Sequence, residues 1–243
     1  MLYKPITVSV DALTRVLRLH DLGDPHLTLA VGAIWVDQAN DTIADDIALR
    51  TFVDTDMGDR CGLSTDMIDS LTVLARPEVE YYGWFTQGAT MTAVLAASIG
   101  SDAVLAVRRG HQVRLMPADE ARLAEALVGC LPSTPPSCGP SINIRQSRAV
   151  GGHTGQRRDR EAGLAPLRRS RKTGAGELHV ALRQRITQRR TIAPYPVGYH
   201  DTVDGRWWIQ VIPGHDENWI VAVPGTDNLL ITRLHEALDG LHR

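Results

Sequence analysis

The chain has 243 residues, of which 43% are hydrophobic, so it can bury a sizeable core in one large domain or two fused halves. The formal net charge of −2 argues against a polyanionic partner for the chain as a whole. No run of about 18 apolar residues is present, so no segment is predicted to span a membrane. Residues Met1–Pro5 lack the basic and apolar regions of a signal peptide, and we expect a cytoplasmic protein with reduced cysteines.

The first part of the chain has helical periodicity interrupted by short strand signals. Asp11 and Ser64 are residues that cap helices, and Pro77 stops the helix that begins after Ser64. An apolar run at 27–35 fits either a strand or a buried turn. The elements predicted here are a strand at 7–10 and helices over 11–19, 41–54 and 64–76.

The period changes after Pro77, where apolar residues begin to alternate and glycines separate the runs. This pattern predicts an antiparallel meander, and the leucine stripe that follows it predicts an amphipathic helix over 118–131. Four prolines within 132–140 indicate a linker. The predicted strands cover residues 78–87, 90–99, 102–109 and 112–116.

The second half opens with a strand at 141–144 and then becomes strongly basic. Residues 141–190 carry 13 basic and 3 acidic side chains, and residues 146–173 are predicted to form a flexible basic loop with one short helix near 159–169. Val203-Asp204-Gly205 is typical of a tight hairpin. Strand patterns then return at 177–185, 190–202, 206–212 and 219–223, and a last helix is predicted from its cap Thr226 to Leu241.

The two halves resemble each other at a constant offset of 107 residues. Pro117 matches Pro224, and each follows a strand and precedes a leucine-striped helix. We therefore predict an α+β fold in which two antiparallel meanders, each followed by an amphipathic helix, form a pseudo-two-fold arrangement around a central antiparallel sheet with helical bundles. The whole chain, 1–243, is then one domain built of two halves, about 1–140 and 141–243.

Sequence patterns of enzymes are missing. No phosphate-binding loop, HExxH helix or GxSxG elbow occurs, so neither catalysis nor a cofactor is predicted. His200-Asp201 and His215-Asp216 are the best candidates for metal ligands, but both fall at predicted turns, and no metal site is predicted. Glu78 and Glu80 share a strand face and are interpreted as solvated carboxylates.

Aromatic residues cluster on two predicted strands. Tyr81 and Tyr82, like Trp207 and Trp208, are adjacent on a strand and must point to opposite faces of the sheet. If helices cover one face only, the other carries exposed aromatic surface that suits a protein partner. If helices cover both faces, these side chains belong to the core, and both alternatives stay open.

Several ordered segments resemble the EspG family, and together they extend over residues 5–145 and 174–242. The segments that carry the resemblance are Leu71–Pro77, Val104–Gly110, His111–Pro117, Gly174–Ala181, Tyr199–Arg206 and Trp219–Thr226. The resemblance implies a cytoplasmic, non-catalytic chaperone of type VII (ESX) secretion. Such a protein binds a PE–PPE-like heterodimer or other helical cargo and keeps it soluble.

The resemblance also implies that the loop after the second strand, near Phe85–Thr90, reaches the cargo. The resemblance and the clustered aromatics together give a set of expected partner-binding residues. A homodimer is also left open. The alternative hypothesis is a nucleic-acid-associated protein that uses the arginine-rich segment 145–190. The expected partner-binding residues are Trp84, Phe85, Thr86, Gln87, Gly88, Trp207, Trp208 and Trp219.

Overall fold

The structure is a computed structural model and describes residues 1–30, 41–59, 62–149 and 170–242. The helices of this part are α1 (Val10–Leu19), α2 (Asp41–Val53), α3 (Thr65–Ala75), α4 (Leu123–Val128), α5 (Gln146–Ala149) and α6 (Asp227–Leu241). The strands are β1 (Ile6–Ser9), β2 (Gly58–Asp59), β3 (Gly62–Leu63), β4 (Val79–Gln87), β5 (Thr90–Ile99), β6 (Asp102–Arg109), β7 (Gln112–Pro117), β8 (Ile142–Arg145), β9 (Lys172–Arg183), β10 (Arg190–Ile192), β11 (Val197–Thr202), β12 (Gly205–Ile212) and β13 (Trp219–Pro224).

One antiparallel sheet contains all of these strands except the small β2–β3 ribbon. Its order is β1-β7-β6-β5-β4-β9-β11-β12-β13-β8, and β10 pairs with the last residues of β9. Strands β4 and β9 pair along the whole length of β4 and join the two halves of the chain. The predicted merger of both meanders into one sheet is confirmed, while a rotation relating the two halves stays a prediction.

Hydroxyl side chains cap the N-termini of three of the described helices, α1, α3 and α6. Ser64 and Thr226 cap α3 and α6 by accepting hydrogen bonds from Met67 N and Leu229 N, as predicted. The prediction for α1 was wrong by two residues, because Ser9 rather than Asp11 accepts from the first-turn amide of Ala12. Asp11 lies inside that first turn, where the helix dipole favours a carboxylate.

Two other predicted elements are shorter than expected. The helix predicted over 118–131 begins as a 3-10 turn, Glu120–Arg122, and its α-helical part ends at Val128 because Gly129 follows. The strand predicted over 190–202 divides into β10 and β11, since Pro194 and Pro196 cannot donate backbone hydrogen bonds between them.

The predicted basic loop falls largely outside the described residues, as does the short helix near 159–169. Its described ends are ordered elements, because Gln146–Ala149 forms α5 and Lys172 already belongs to β9. The apolar run at 27–35 is described only as far as residue 30. Among the described helices, none is both long and apolar enough to cross a bilayer.

Helices cover the two faces of the sheet unequally. Helices α4 and α6 pack on one face, here called the α4/α6 face, over side chains of both halves such as Phe85 and Trp208. Helices α1, α2 and α3 pack on the opposite face, the α1–α3 face, over the strands of the first half. None of these three helices has an extensive contact with the described strands of the second half, and α5 packs against the outermost strands, β8 and β13. This difference decides which side chains can meet a partner.

Candidate partner-binding surface

Most of the clustered aromatics lie in the core, so of the two open alternatives the one in which these side chains are covered holds for most of them, including the expected partner-binding residues Phe85, Trp207 and Trp208. Phe85, Trp207 and Trp208 are 4%, 2% and 1% exposed. Phe85 and Trp208 lie beneath α4 and α6. Trp207 points the other way, where the 132–140 linker lies so close that a Cβ atom at Gly139 would collide with its ring. Adjacent residues do point to opposite faces, but both faces are covered at these positions, so these three side chains cannot contact a partner without rearrangement.

The remaining expected residues are accessible to different degrees. Gln87 and Gly88 are exposed at the β4–β5 turn, and Trp84 and Thr86 are half-buried just before it. Trp219 is half-buried near the outer edge of the second half, with the Arg145 guanidinium 5.5 Å from its ring centre. The structure thus brings Trp84–Gly88 together at the centre of the sheet and leaves Trp219 apart from them.

Strand register defines a continuous surface around Trp84 on the α1–α3 face. Trp84 pairs with Glu177, Glu177 with Gly198, and Gly198 with Ile209, so these residues form one row across β4, β9, β11 and β12. All four are exposed or half-buried. We call this surface the central patch, and it consists of Trp84, Glu177, His179, Gly198, His200 and Ile209.

The central patch is concave around its glycine. Because Gly198 has no side chain, a pocket of about 200 Å³ lies there, lined by Glu177, His200 and Ile209 among others. Trp84 stands at one side and is held by edge-to-face contacts with Tyr82 and His179, at centroid distances of 5.9 Å each. His179 in turn stacks on Tyr82 at 5.2 Å. These contacts restrict the orientation of the half-buried indole.

A buried ion cluster lies beside this aromatic group, on the same face of the sheet. Glu80, interpreted from sequence as solvated, is fully buried and receives the Arg190 guanidinium at 2.6–3.0 Å. His26 Nε2 lies 3.2 Å from Glu80 Oε2, and His26 Nδ1 lies 2.8 Å from Thr28 Oγ1. Burial alone would raise the pKa of Glu80, but the hydrogen bonds from His26 and Arg190 outweigh it and lower that pKa.

The sequence did contain a signal for this cluster. Glu80 shares a strand face with Tyr82 and Trp84, in a run predicted to lie inside a sheet. A carboxylate at such a position must be paired, because an isolated buried charge is too costly. Its partners His26 and Arg190 lie 54 and 110 residues away, so the sequence did not identify them.

A second buried ion cluster engages Asp201, which belongs to one of the two candidate metal-binding pairs. Asp201 accepts two hydrogen bonds from the fully buried Arg206, at 2.7 and 3.0 Å, and His200 points to the opposite face of the sheet. The other candidate pair, His215 and Asp216, is exposed, with Nδ1 and Oδ1 3.0 Å apart. No group of three potential ligands is found in the residues that the structure describes.

Comparison with known proteins gives a family and a fold. The model of the EspG family matches residues 9–236, nearly the whole chain. The chain belongs to the EspG family. It is also similar to a chain of the solved structure of the Mycobacterium tuberculosis type VII secretion system chaperone EspG5 in complex with the PE25–PPE41 dimer. That match has a TM-score of 0.70 at 14% identity and covers 97% of this chain and 96% of that chain. Among curated proteins no match is found.

This EspG-family chain has two half-buried histidines on the central patch whose pKa values are shifted downwards. Burial lowers the pKa of His179, with Arg190 acting in the same direction, and burial together with Lys172 lowers the pKa of His200. Nearby Glu177 opposes both shifts without cancelling them. Both rings are therefore neutral in the folded EspG domain near neutral pH.

These shifts predict an acid-sensitive fold. An unfolded histidine titrates near pH 6.5, and the folded rings do so at lower pH, so the unfolded chain binds more protons as pH falls through this region. We expect the free energy of unfolding to decrease from pH 7.5 to pH 5.5. His200→Gln should remove the contribution of its ring and so make the free energy of unfolding less dependent on pH. Urea titrations at several pH values measure the effect, and His215→Gln, on a fully exposed ring, is the matched control.

Proposed function

We propose that this chain is a cytoplasmic chaperone of type VII secretion that binds a PE–PPE-like heterodimer and makes no covalent change to it. The observation that carries this proposal is the match of the EspG family model over residues 9–236. The similarity in fold to EspG5, solved with a PE25–PPE41 dimer, supports the choice of partner. A binding role also agrees with the two buried ion clusters, since Glu80 and Asp201 are engaged by arginines and inaccessible to a substrate.

The central patch and the neighbouring β4–β5 turn form the surface proposed to meet the cargo. Trp84 and Ile209 offer apolar contact area, and the shallow pocket at Gly198 allows a helix end to approach the sheet. Glu177 is exposed and can contribute to orientation. A tryptophan beside a small hydrophobic pocket is the kind of residue that dominates binding energy at protein interfaces.

Trp84→Ala should weaken binding of a purified PE–PPE heterodimer by about 30-fold, because truncating an interface tryptophan commonly removes about 2 kcal/mol. Glu177→Arg tests the same patch through an exposed position that leaves the aromatic packing intact. The measurement is isothermal titration calorimetry, with the heterodimer encoded beside the type VII secretion genes of the same genome.

Trp219→Ala is the matched control, because Trp219 is equally half-buried but lies on the opposite face near β8. It should bind as the unaltered chain does. If Trp219→Ala abolished binding and Trp84→Ala bound fully, the interface would lie on the α4/α6 face and not at the central patch. Failure of the unaltered chain to bind any type VII substrate recovered from its own cytoplasm would contradict the proposed function itself.

Three arginines near the end of the basic segment give the nucleic-acid alternative no support. Arg185 pairs with Glu78, Arg190 pairs with Glu80, and Arg183 donates hydrogen bonds to backbone carbonyls. These guanidinium groups are engaged within the protein. For residues 150–169, which lie outside the described residues, the alternative stays a hypothesis.

A further inference from the structure

A second cavity lies far from the central patch, at the outer edge of the first half. It has a volume of about 440 Å³ and opens on the α4/α6 face. Strands β1, β7 and β6 form its floor, where Thr7 is opposite Arg114 and Arg114 is opposite Val107. The residues after α4, Gly129 and Cys130, form its wall. Helix α4 is short, so it leaves this part of the sheet open.

The cavity is positively charged. Arg109 and Arg114 both line it and both are exposed, and its lining includes no acidic residue. Neither guanidinium has an ion pair or a side-chain hydrogen bond within the described part of the chain. By contrast Arg185, Arg190 and Arg206 are all paired with carboxylates. Unpaired guanidinium groups in a pocket favour a carboxylate or phosphate, which they bind through parallel hydrogen bonds.

Apolar side chains lie beside these charges. Val107 and Met116 are half-buried in the floor. The Cys130 thiol is half-buried in the wall and donates a hydrogen bond to the Ala126 carbonyl at 3.3 Å, and burial raises its pKa. The thiol is therefore uncharged and adds to the apolar part of the lining. The cavity volume falls within the range of small-molecule sites, about 300–1,000 Å³.

We propose that this pocket binds a small anionic amphiphile, with a carboxylate or phosphate head on Arg109 and Arg114 and a short aliphatic body on Val107, Met116 and Cys130. This inference is independent of the cargo-binding role, since the pocket and the central patch lie on opposite faces of the sheet. The two guanidinium groups supply attraction for the head, and the methionine side chain adapts to bodies of different shape.

The experiment measures binding of hexanoate and of hexyl phosphate to the whole chain by calorimetry. Acetate, with a head only, and 1-hexanol, with a body only, should each bind at least about tenfold more weakly, since each lacks one of the two contacts. Arg109→Gln/Arg114→Gln should weaken hexanoate binding by at least about tenfold. The matched control Arg171→Gln/Arg189→Gln removes the same charge from exposed positions elsewhere and should bind as the unaltered chain does.

The site of binding is tested through Cys130. In a Cys61→Ser/Cys138→Ser background, saturating hexanoate should slow the reaction of Cys130 with a maleimide, and 1-hexanol at the same concentration should not. The relative affinities of the two heads then show whether the natural ligand is a carboxylate or a phosphate. Equal binding of hexanoate and 1-hexanol, equal binding by the Arg109→Gln/Arg114→Gln variant, or unprotected Cys130 would each overturn the proposal.

Discussion

Glu80→Ala is expected to lower the free energy of unfolding by about 3–5 kcal/mol, the range for removing one partner of a buried ion pair. The substitution leaves the Arg190 guanidinium without its carboxylate. This guanidinium also lies 5.4 Å from the Tyr82 ring centre. It also removes the group that faces His26. Because Tyr82 supports Trp84, the loss should be accompanied by a change in tryptophan fluorescence of the folded state. Urea denaturation monitored by circular dichroism measures the free energy.

Glu78→Ala is the matched control for this prediction. Glu78 also pairs with an arginine, but the Arg185 side chain is 77% exposed, and such pairs contribute about 1 kcal/mol or less. Two equal losses would show that the burial of Glu80 has no energetic consequence, and the buried pair could then not be the cause of the larger instability expected for Glu80→Ala.

Arg206→Met should be comparably destabilising, again by about 3–5 kcal/mol. Arg206 is fully buried and connects Asp201, Asp227 and the Pro132 carbonyl through hydrogen bonds of 2.6–3.0 Å. Its replacement leaves the buried Asp201 carboxylate with the Thr134 hydroxyl, 3.1 Å away, as its remaining side-chain partner in the described part of the chain. The measurement is the same urea titration.

A pair of further variants separates charge pairing from packing. Asp227→Asn removes the partner that is 64% exposed and should cost less than about 1 kcal/mol. Arg206→Met/Asp201→Leu removes both buried charges and should recover most of the loss, because apolar groups of similar volume replace a buried pair at little cost. If the double variant is as unstable as Arg206→Met alone, unpaired charge is not the cause of the instability.

Local signals in the sequence predicted the strands well. Strands β5 and β6 begin and end at the predicted residues, because Gly100 and Gly110 mark the turns and adopt positive φ angles of 56° and 58°. Caps at Ser64 and Thr226 were equally local. Features of this kind depend on neighbours a few residues apart, which is why they could be read directly from the chain.

The candidate surface was less predictable, because exposure depends on distant segments. Trp207 is covered by the linker near Gly139, and Phe85 by helices that begin many residues later. Because they are buried, these two residues do not belong to the accessible surface. Gly198 and Ile209 do belong to the central patch, but only the strand register shows this. Neither Arg109 nor Arg114 could be recognised as pocket residues before their strands were placed beside the end of α4.

The pairing of β4 with β9 has a consequence for synthesis on the ribosome. Thr86 and its neighbour Ala175 are 89 residues apart in the chain. At about 5–20 residues per second, roughly 4–18 s separate the emergence of the two strands. During this interval the nascent first meander exposes the aromatic β4 strand with an unpaired backbone edge, which favours intermolecular association. The new chain is therefore most open to association with other chains before β9 has been made.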